Sequence, residues 1–412
     1  MARLNTAFAA LSIRDFRNFI SARWFMTIAI QIQAVAVGWQ IYEITGDPLA
    51  LGLIGLAEAI PAIMVSLYAG HLADITERKK ILLMCASILL LCAVTLFVFT
   101  SDLSQVVKNF GAIPVYAVIF LTGVARGFIA PANFSFMPQL VPRELYTNAV
   151  SWHSTIWETA AVAGPAAGGL FIDWFGLKAT YAIDAGLMVI GLIFYALIPS
   201  RPVPAQTAEQ GIIEKIKAGL SFVFNHQVIL AAMTLDLFAV LFGGAVALLP
   251  VFANEILHVG PHGFGLLRAA PAAGALLMAL WLTVFPIRKR LGKILLWSVA
   301  GFGCTMIAFA LSEIFWLSLG LLALSGAFDS VSVIIRGLLI HTQTPENMKG
   351  RVAAINSIFI GSSNEIGAFE SGVAARLAGV VPSVVFGGLM TIGVVSATAW
   401  KADKLRGTET VH

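Results

Sequence analysis

Twelve apolar runs follow one another along this chain, at roughly 19–43, 49–73, 81–100, 113–139, 145–170, 177–198, 228–253, 263–285, 293–312, 314–340, 351–376 and 381–400. An α-helix needs about 20 mostly apolar residues to cross the hydrocarbon core of a bilayer. Lipid offers a backbone no hydrogen bonds, so such segments cross as helices, whose backbone groups are satisfied within the segment. Composition agrees: 58% of the 412 residues are hydrophobic and only 12% are charged, about half the charge of an average soluble chain. Too little polar surface remains to coat a soluble globule, and the mean hydropathy is +0.88. Connections as short as "EITGDP" and "SE" make neighbouring runs antiparallel. Cys85, Cys92 and Cys304 all fall inside apolar runs, which predicts buried thiols and no disulfide framework. The N-terminal "MARLNTAFAALSIRDFRNF" has no apolar core followed by a cleavage site, so no cleavable signal is expected.

Lys and Arg outside the runs are unequally distributed, and that bias sets orientation. The alternate segments that begin with the N-terminus, together with the boundary residues Arg23, Lys293, Arg351 and Lys401, hold 20 of them, against Lys108, Lys178 and Arg376 on the opposite side. Both termini are therefore expected in the cytoplasm. The net charge of +4 marks topology and does not indicate a nucleic-acid partner. The longest connection, 199–227, opens with "SRPVPAQTAEQG" and continues as "IIEKIKAGLSFVF". There Ile212, Ile213, Ile216, Leu220 and Val223 share one helical face, which predicts an amphipathic helix lying on the cytoplasmic surface.

The chain thus divides into a six-helix bundle over 1–200, a linker over 201–227 and a second bundle over 228–412. A shift of 203 residues lays Pro142 on Pro345, Gly164 on Gly367, Gly169 on Gly372 and Gly176 on Gly379. A shift of 213 lays Pro48 on Pro261 and Gly52 on Gly265. An all-α membrane protein of twelve transmembrane helices in two pseudo-symmetric six-helix bundles is the expected fold. Internal repeats of this kind mark secondary transporters.

Two motifs sharpen the reading. Between the second and third runs, "GHLADITERKK" places Gly70, Asp74, Arg78 and Lys79 as in the cytoplasmic loop signature of the major facilitator superfamily, which the chain resembles. Ile75 and Glu77 stand where that signature usually has a basic residue and a Gly. In the fifth run, "GPAAGG" resembles the GPxxGG signature of the superfamily's antiporters, with Gly164, Pro165, Gly168 and Gly169. Arg126 stands at the place of the family's arginine in the fourth span. "TPENMKGRVAAINS" and "ITGDPLALGLIGLAEAIPAI" resemble exporters of the enterobactin-exporter and related efflux type. In a soluble helix interior each Gly costs about 1 kcal/mol and Pro about 3 relative to Ala. In a membrane, small residues are favoured because they let helix backbones touch. The resemblance implies a major facilitator fold, a fifth span packed closely on the eighth, and Asp74 meeting the start of the eleventh span near Gly350 and Arg351, where a helix dipole would favour it.

Ionisable residues within spans cost at least about 2.5–3.5 kcal/mol at the bilayer centre and are functional candidates by default. Glu158 and Arg126 lie about halfway along the fifth and fourth spans, Asn364 and Glu365 near the middle of the eleventh, with Glu370 further out. Glu158 is the expected proton-coupling group with Arg126 as its charge partner. Glu365 is next, with Glu58 and Glu370 behind, and Arg126 can also pair with Glu58. Gln33, Trp39 and Asn133 are candidate cavity-lining residues. Asp184, Asp236, Asp329, Arg268 and Arg336 lie nearer the span ends, where structural ion pairs are expected.

No GxxxxGK[ST], HExxH or GxSxG occurs, and His258 and His262 have no evident third ligand. No enzyme activity, metal or cofactor is expected; the coupling ion would be the proton. The expectation is a monomeric, lipid-embedded secondary transporter of a bacterial-type inner membrane. It would export a small amphipathic or hydrophobic molecule, such as a drug or siderophore, in exchange for protons. Alternatives are a uniporter, a proton symporter or a lipid translocator on the same scaffold, or a membrane sensor or enzyme.

Overall fold

A computed structural model describes residues 8–407 apart from 102–104, 203–211, 244, 288 and 346–347. The first four runs form helices α1 (Arg14–Thr45), α2 (Pro48–Ile75), α3 (Arg78–Thr100) and α4 (Ile113–Phe136). The fifth and sixth together form α5 (Tyr146–Ala196), 51 residues. At 1.5 Å per residue that is more than twice the depth of a bilayer core. The chain divides it at Gly176, where φ is +78° and ψ 168°. The linker helix α6 is Ile212–Asn225. Then follow α7 (Gln227–Phe242), α8 (Gly260–Val284), α9 (Leu291–Ala310), α10 (Phe315–Gln343), α11 (Lys349–Ala378) and α12 (Val380–Lys401). Between α11 and α12 stands Gly379, with φ +94° and ψ 158°. These two glycines, 203 positions apart, adopt nearly the same conformation. A Cβ would strain it at both.

Ten helical stretches among the described residues are long and apolar enough to cross a membrane. One of the ten contains both halves of α5. The 30-residue α11 is as long as its neighbours but is made more polar by Asn364, Glu365 and Glu370. The all-helical architecture is thus consistent with twelve spans. The seventh is interrupted: α7 stops at Phe242, and a 3-10 turn (Ala245–Leu248), one short α-helical segment (Leu249–Val251) and a π segment (Phe252–Ile256) carry the chain onward.

The contacts group the chain into two units. One comprises Met1–Gly46, Leu56–Thr207 and Gly260–Ala269; the other comprises Asp47–Gly55, Ala208–Val259 and Ala270–His412. The core of the first gathers Phe16, Phe19, Leu89, Phe136 and Tyr195 from α1, α3, α4 and α5. The second is centred on Leu235, Leu291, Leu295, Ile335 and Leu339. A smaller cluster joins Val223 of α6 to Ile229, Met233, Val352 and Ile355.

At its C-terminal end α6 packs on protein: Val223 is fully buried, and a Cβ on Gly219 would come within 2.7 Å of Ile355 Cδ1. The side chains of Ile212, Ile213 and Ile216, which carry the rest of the expected apolar face, lie outside the described residues. The cysteines differ from expectation. Cys85 and Cys92 are buried but Cys304 is exposed, because a spanning helix is apolar all round and part of its surface meets lipid.

The glycines of the fifth span touch two helices. A Cβ on Gly164 would sit 2.5 Å from Gln31 Cβ, and one on Gly168 3.2 Å from Ile32 Cα, both on α1. On Gly169 it would lie 2.7 Å from the Cα of Gly265 on α8. The eleventh span repeats this pattern in the second unit. Gly367 abuts Leu241 of α7, and a Cβ on Gly372 would lie 2.9 Å from the Cα of Gly52 on α2. The sequence shifts that pair Gly169 with Gly372 and Gly265 with Gly52 therefore relate two equivalent backbone crossings. Replacing Gly169 or Gly372 by Leu should overpack these crossings and cost about 1–3 kcal/mol. Gly186→Leu, at a site with no neighbour within 4 Å, should leave thermal unfolding of the detergent-solubilised protein nearly unchanged.

Candidate functional site

In the first unit, α2 and α4 cross at backbone contact. A Cβ on Gly123 would collide with the carbonyl oxygen of Glu58, and one on Gly127 would lie 2.9 Å from that of Ala62. This approach brings the Glu58 carboxylate onto the Arg126 guanidinium as an ion pair. Arg126 thus takes Glu58, and the expectation of Glu158 as its charge partner is corrected. The reason lies in helix rotation. Ile156 and Ala160 face the protein interior, and Glu158 is two residues from each, about 200° around the helix. Glu158 is half-buried and has no hydrogen bond or ion pair among the described residues.

The other candidates separate. Gln33 is 5% exposed, and its amide nitrogen finds no hydrogen-bond partner among the described residues. Asn133 accepts a hydrogen bond from the Tyr195 hydroxyl at 3.2 Å, tying α4 to α5. Trp39 donates to Glu43 at 2.7 Å and stacks on Phe264 with ring centroids 6.1 Å apart. Glu365 lies in the second unit against Gly55 of α2, 2.9 Å from where its Cβ would be. Asn364 is exposed and folds back to the Ile360 carbonyl at 2.9 Å, and Glu370 is half-buried beside Ser371. In the loop signature, Lys79 donates to the Ala196 carbonyl at 3.0 Å. A cation there caps the C-terminal, negative end of α5. Arg78 is buried. The surroundings of Gly70 and Asp74, and with them the expected meeting of Asp74 with the eleventh span, lie outside the described residues.

Two groups of buried charge stand out among the residues placed nearer the span ends. Asp184 of α5 is fully buried, and neither of its oxygens has a hydrogen-bond partner among the described residues. Beside it, the Tyr181 hydroxyl donates to Gln40 at 2.7 Å. In the second unit Asp236 of α7 and Arg336 of α10 form an ion pair whose side chains are only 7% and 3% exposed. Arg336 stands 210 positions after Arg126, between the two repeat shifts of 203 and 213. Each half therefore has one arginine at an equivalent place, paired with a carboxylate of a neighbouring helix in its own unit. The offset of 210 was the sequence signal for Arg336. Its partner had none, because Asp236 and Glu58 sit on non-equivalent spans. Among the described residues no group of three His, Cys, Asp or Glu side chains is placed to hold a metal ion.

A many-spanning helical protein with duplicated halves and a charge pair in each has the architecture of a secondary transporter. The comparisons agree. The sequence model of the transmembrane secretion effector family matches residues 5–410. The chain belongs to this family of major facilitator transporters, of exporter type. It is 27% identical over 386 residues to the enterobactin exporter EntS of Salmonella choleraesuis (strain SC-B67), covering 92% of this chain and 91% of that protein. To EntS of Escherichia coli O1:K1 / APEC it is 26% identical over 389 residues, covering 92% and 90%. Its fold resembles the nucleoside transporter NupG (TM-score 0.70, 14% identity, 93% of this chain and 98% of that one). It also resembles a bacterial homologue of the iron transporter ferroportin in the inward-facing state (TM-score 0.71, 14% identity, 96% and 99%).

The two ion pairs differ in burial, and burial decides what breaking them costs. Removing one partner of a buried pair leaves an uncompensated charge and costs about 3–5 kcal/mol. Arg336→Met should fall in that range, and adding Asp236→Asn should recover much of the loss. Arg126→Met removes a side chain 38% exposed and leaves Glu58, 20% exposed, without it, so it should cost less than Arg336→Met, whose partner is left more deeply buried. Thermal unfolding of the three purified variants checks the order.

Proposed function

We propose that this protein is a proton-driven exporter of a small amphipathic molecule, with an enterobactin-like siderophore as the first candidate. What carries the reading is the match to exporters along nearly the whole chain: the family model spans 5–410, and the EntS relatives cover 92% of it. The 20-to-3 bias of Lys and Arg supports a bacterial inner-membrane protein with both termini in the cytoplasm. It acts as a monomer surrounded by lipid, without cofactor and without a catalytic step. The two six-helix halves rock about a central substrate site in alternating access. Each proton returning to the cytoplasm supplies about 2.3 kcal/mol per 100 mV of membrane potential.

Glu158 supports the coupling role because it is a spanning-helix carboxyl with no ion pair among the described residues. Such a group can bind and release a proton without breaking a salt bridge. Glu365, Glu370, Asn364 and the Glu58–Arg126 pair complete the candidate polar set for coupling and substrate binding. Gly164, Pro165, Gly168 and Gly169 are the proposed conformational seal. Gly70, Asp74, Arg78 and Lys79 are the loop that stabilises one state.

Inside-out vesicles with a respiration-driven pH gradient test the reading. Adding enterobactin should collapse the gradient, read by a pH-sensitive fluorophore. Glu158→Gln should lose most of that response, on the order of the 10²-fold typical of a lost proton-transfer group. Absence of gradient collapse with enterobactin, cationic dyes and drugs alike would refute proton antiport. Collapse that persists in Glu158→Gln would move coupling to Glu365.

A further inference from the structure

The second unit encloses a cavity of about 10 Å³, room for about one water molecule. Asp236 of α7 and Asp329 and Ser332 of α10 line it, with Val299, Phe302 and Phe328 among its apolar walls. Asp236 is held by Arg336. Asp329 is partly buried, and among the described residues it has no hydrogen-bond or ion-pair partner. The cluster thus sets two carboxylates against one guanidinium, a sum of −1 in a setting where an uncompensated charge is strongly disfavoured. Neutrality requires one bound monovalent cation. A metal cation of the hard type takes several oxygen ligands. This cavity offers two carboxylates and one hydroxyl between aromatic and aliphatic walls, in space for a single water.

The geometry points to a proton site: Asp236, Asp329 and Arg336 hold one exchangeable proton between two carboxyl groups that compete for the same arginine. When Asp329 holds the proton, Arg336 stays with Asp236. When the proton leaves, Asp329 becomes a second claimant for the guanidinium, and α7 and α10 must adjust. The interruption of the seventh span after Phe242 lies less than two turns from Asp236. A Cβ on Gly243 would lie 2.5 Å from the Phe302 ring, so the interruption and the cavity share a wall.

The elements packed around the cluster carry further charges. The short helix Asp403–Arg406 packs on α7 and α9 and brings Asp403, Lys404 and Arg406, and α6, which packs on α7, carries the exposed Lys217. Helix α9 presents Val299 and Phe302 to the cavity, and its Lys293 lies at the helix start. Helix α8 crosses α10 where the Pro271 carbonyl meets Gly326; its Arg268, three residues earlier, is itself partnered. Helix α11 touches Leu241 through Gly367 and carries Glu365, which lies against Gly55, and Glu370. Helix α12 packs on α7 and α9 and has no charge before Lys401.

This inference deepens the proton-driven reading and is tested apart from it. Infrared spectra of the purified full chain in detergent report the carbonyl band of protonated carboxylic acids. The wild type should show a component that disappears in Asp329→Asn, returns shifted in Asp329→Glu and is unchanged when sodium replaces potassium. In proteoliposomes, Asp329→Asn should lose gradient-driven enterobactin transport at least tenfold yet retain exchange of labelled for unlabelled enterobactin. An unchanged carboxylic-acid band in Asp329→Asn, its removal by sodium, or full gradient-driven transport by that variant would overturn the proposal. Asp329→Glu and the melting temperature of each variant separate loss of the proton from loss of the fold. If wild-type protein moves no protons with substrate while the band behaves as described, proton-driven export fails and the proton site stands.

Discussion

Backbone contact between helices is the constraint on which this molecule depends. In water, helices associate because apolar faces escape solvent. Within a bilayer the alternative neighbour is equally apolar, so cohesion rests on close packing. Here that packing is written as glycine. The six-residue GPAAGG motif turns Gly164 and Gly168 towards α1 and Gly169 towards α8, while the Pro165 carbonyl lies against Gly265. Its counterparts in the eleventh span, Gly367 and Gly372, meet α7 and α2 in the same way.

Charge within the membrane follows from these approaches. Gly123 allows α2 to come close enough to α4 for Glu58 to reach Arg126. In the other unit, Asp236 and Arg336 pair across α7 and α10. Equivalent arginines therefore receive partners from non-equivalent helices, and the two halves of a duplicated chain acquire different chemistry. Among the described residues, the first unit leaves Glu158 without an ion pair. The second adds Asp329 to a pair that was already neutral.

Much of the fold was legible in the residues. The apolar runs and the hinge glycines Gly176 and Gly379 carry the architecture, and the offset of 203 anticipates which glycines act alike. Partnership between charges was not legible. Whether Arg126 meets Glu58 or Glu158 depends on the rotation of α5, fixed by Ile156 and Ala160 packing inward. The interruption of the seventh span also escaped notice, because "LFGGAVALLP" is as apolar as an unbroken helix would be. Distance from a span's end was a poor guide to burial: Asp184, Asp236 and Arg336 were placed near the ends, yet all three are buried.

Antiport requires that substrate and proton compete for one protein. The most direct test is to add enterobactin to the purified chain in weakly buffered detergent and to follow the bulk pH with a soluble indicator. Protons should be released as substrate binds. The release should saturate with occupancy and vanish at a pH high enough to strip the carboxyl groups beforehand. Saturable binding with no release of protons at any pH, or with proton uptake, would contradict exchange of protons for substrate.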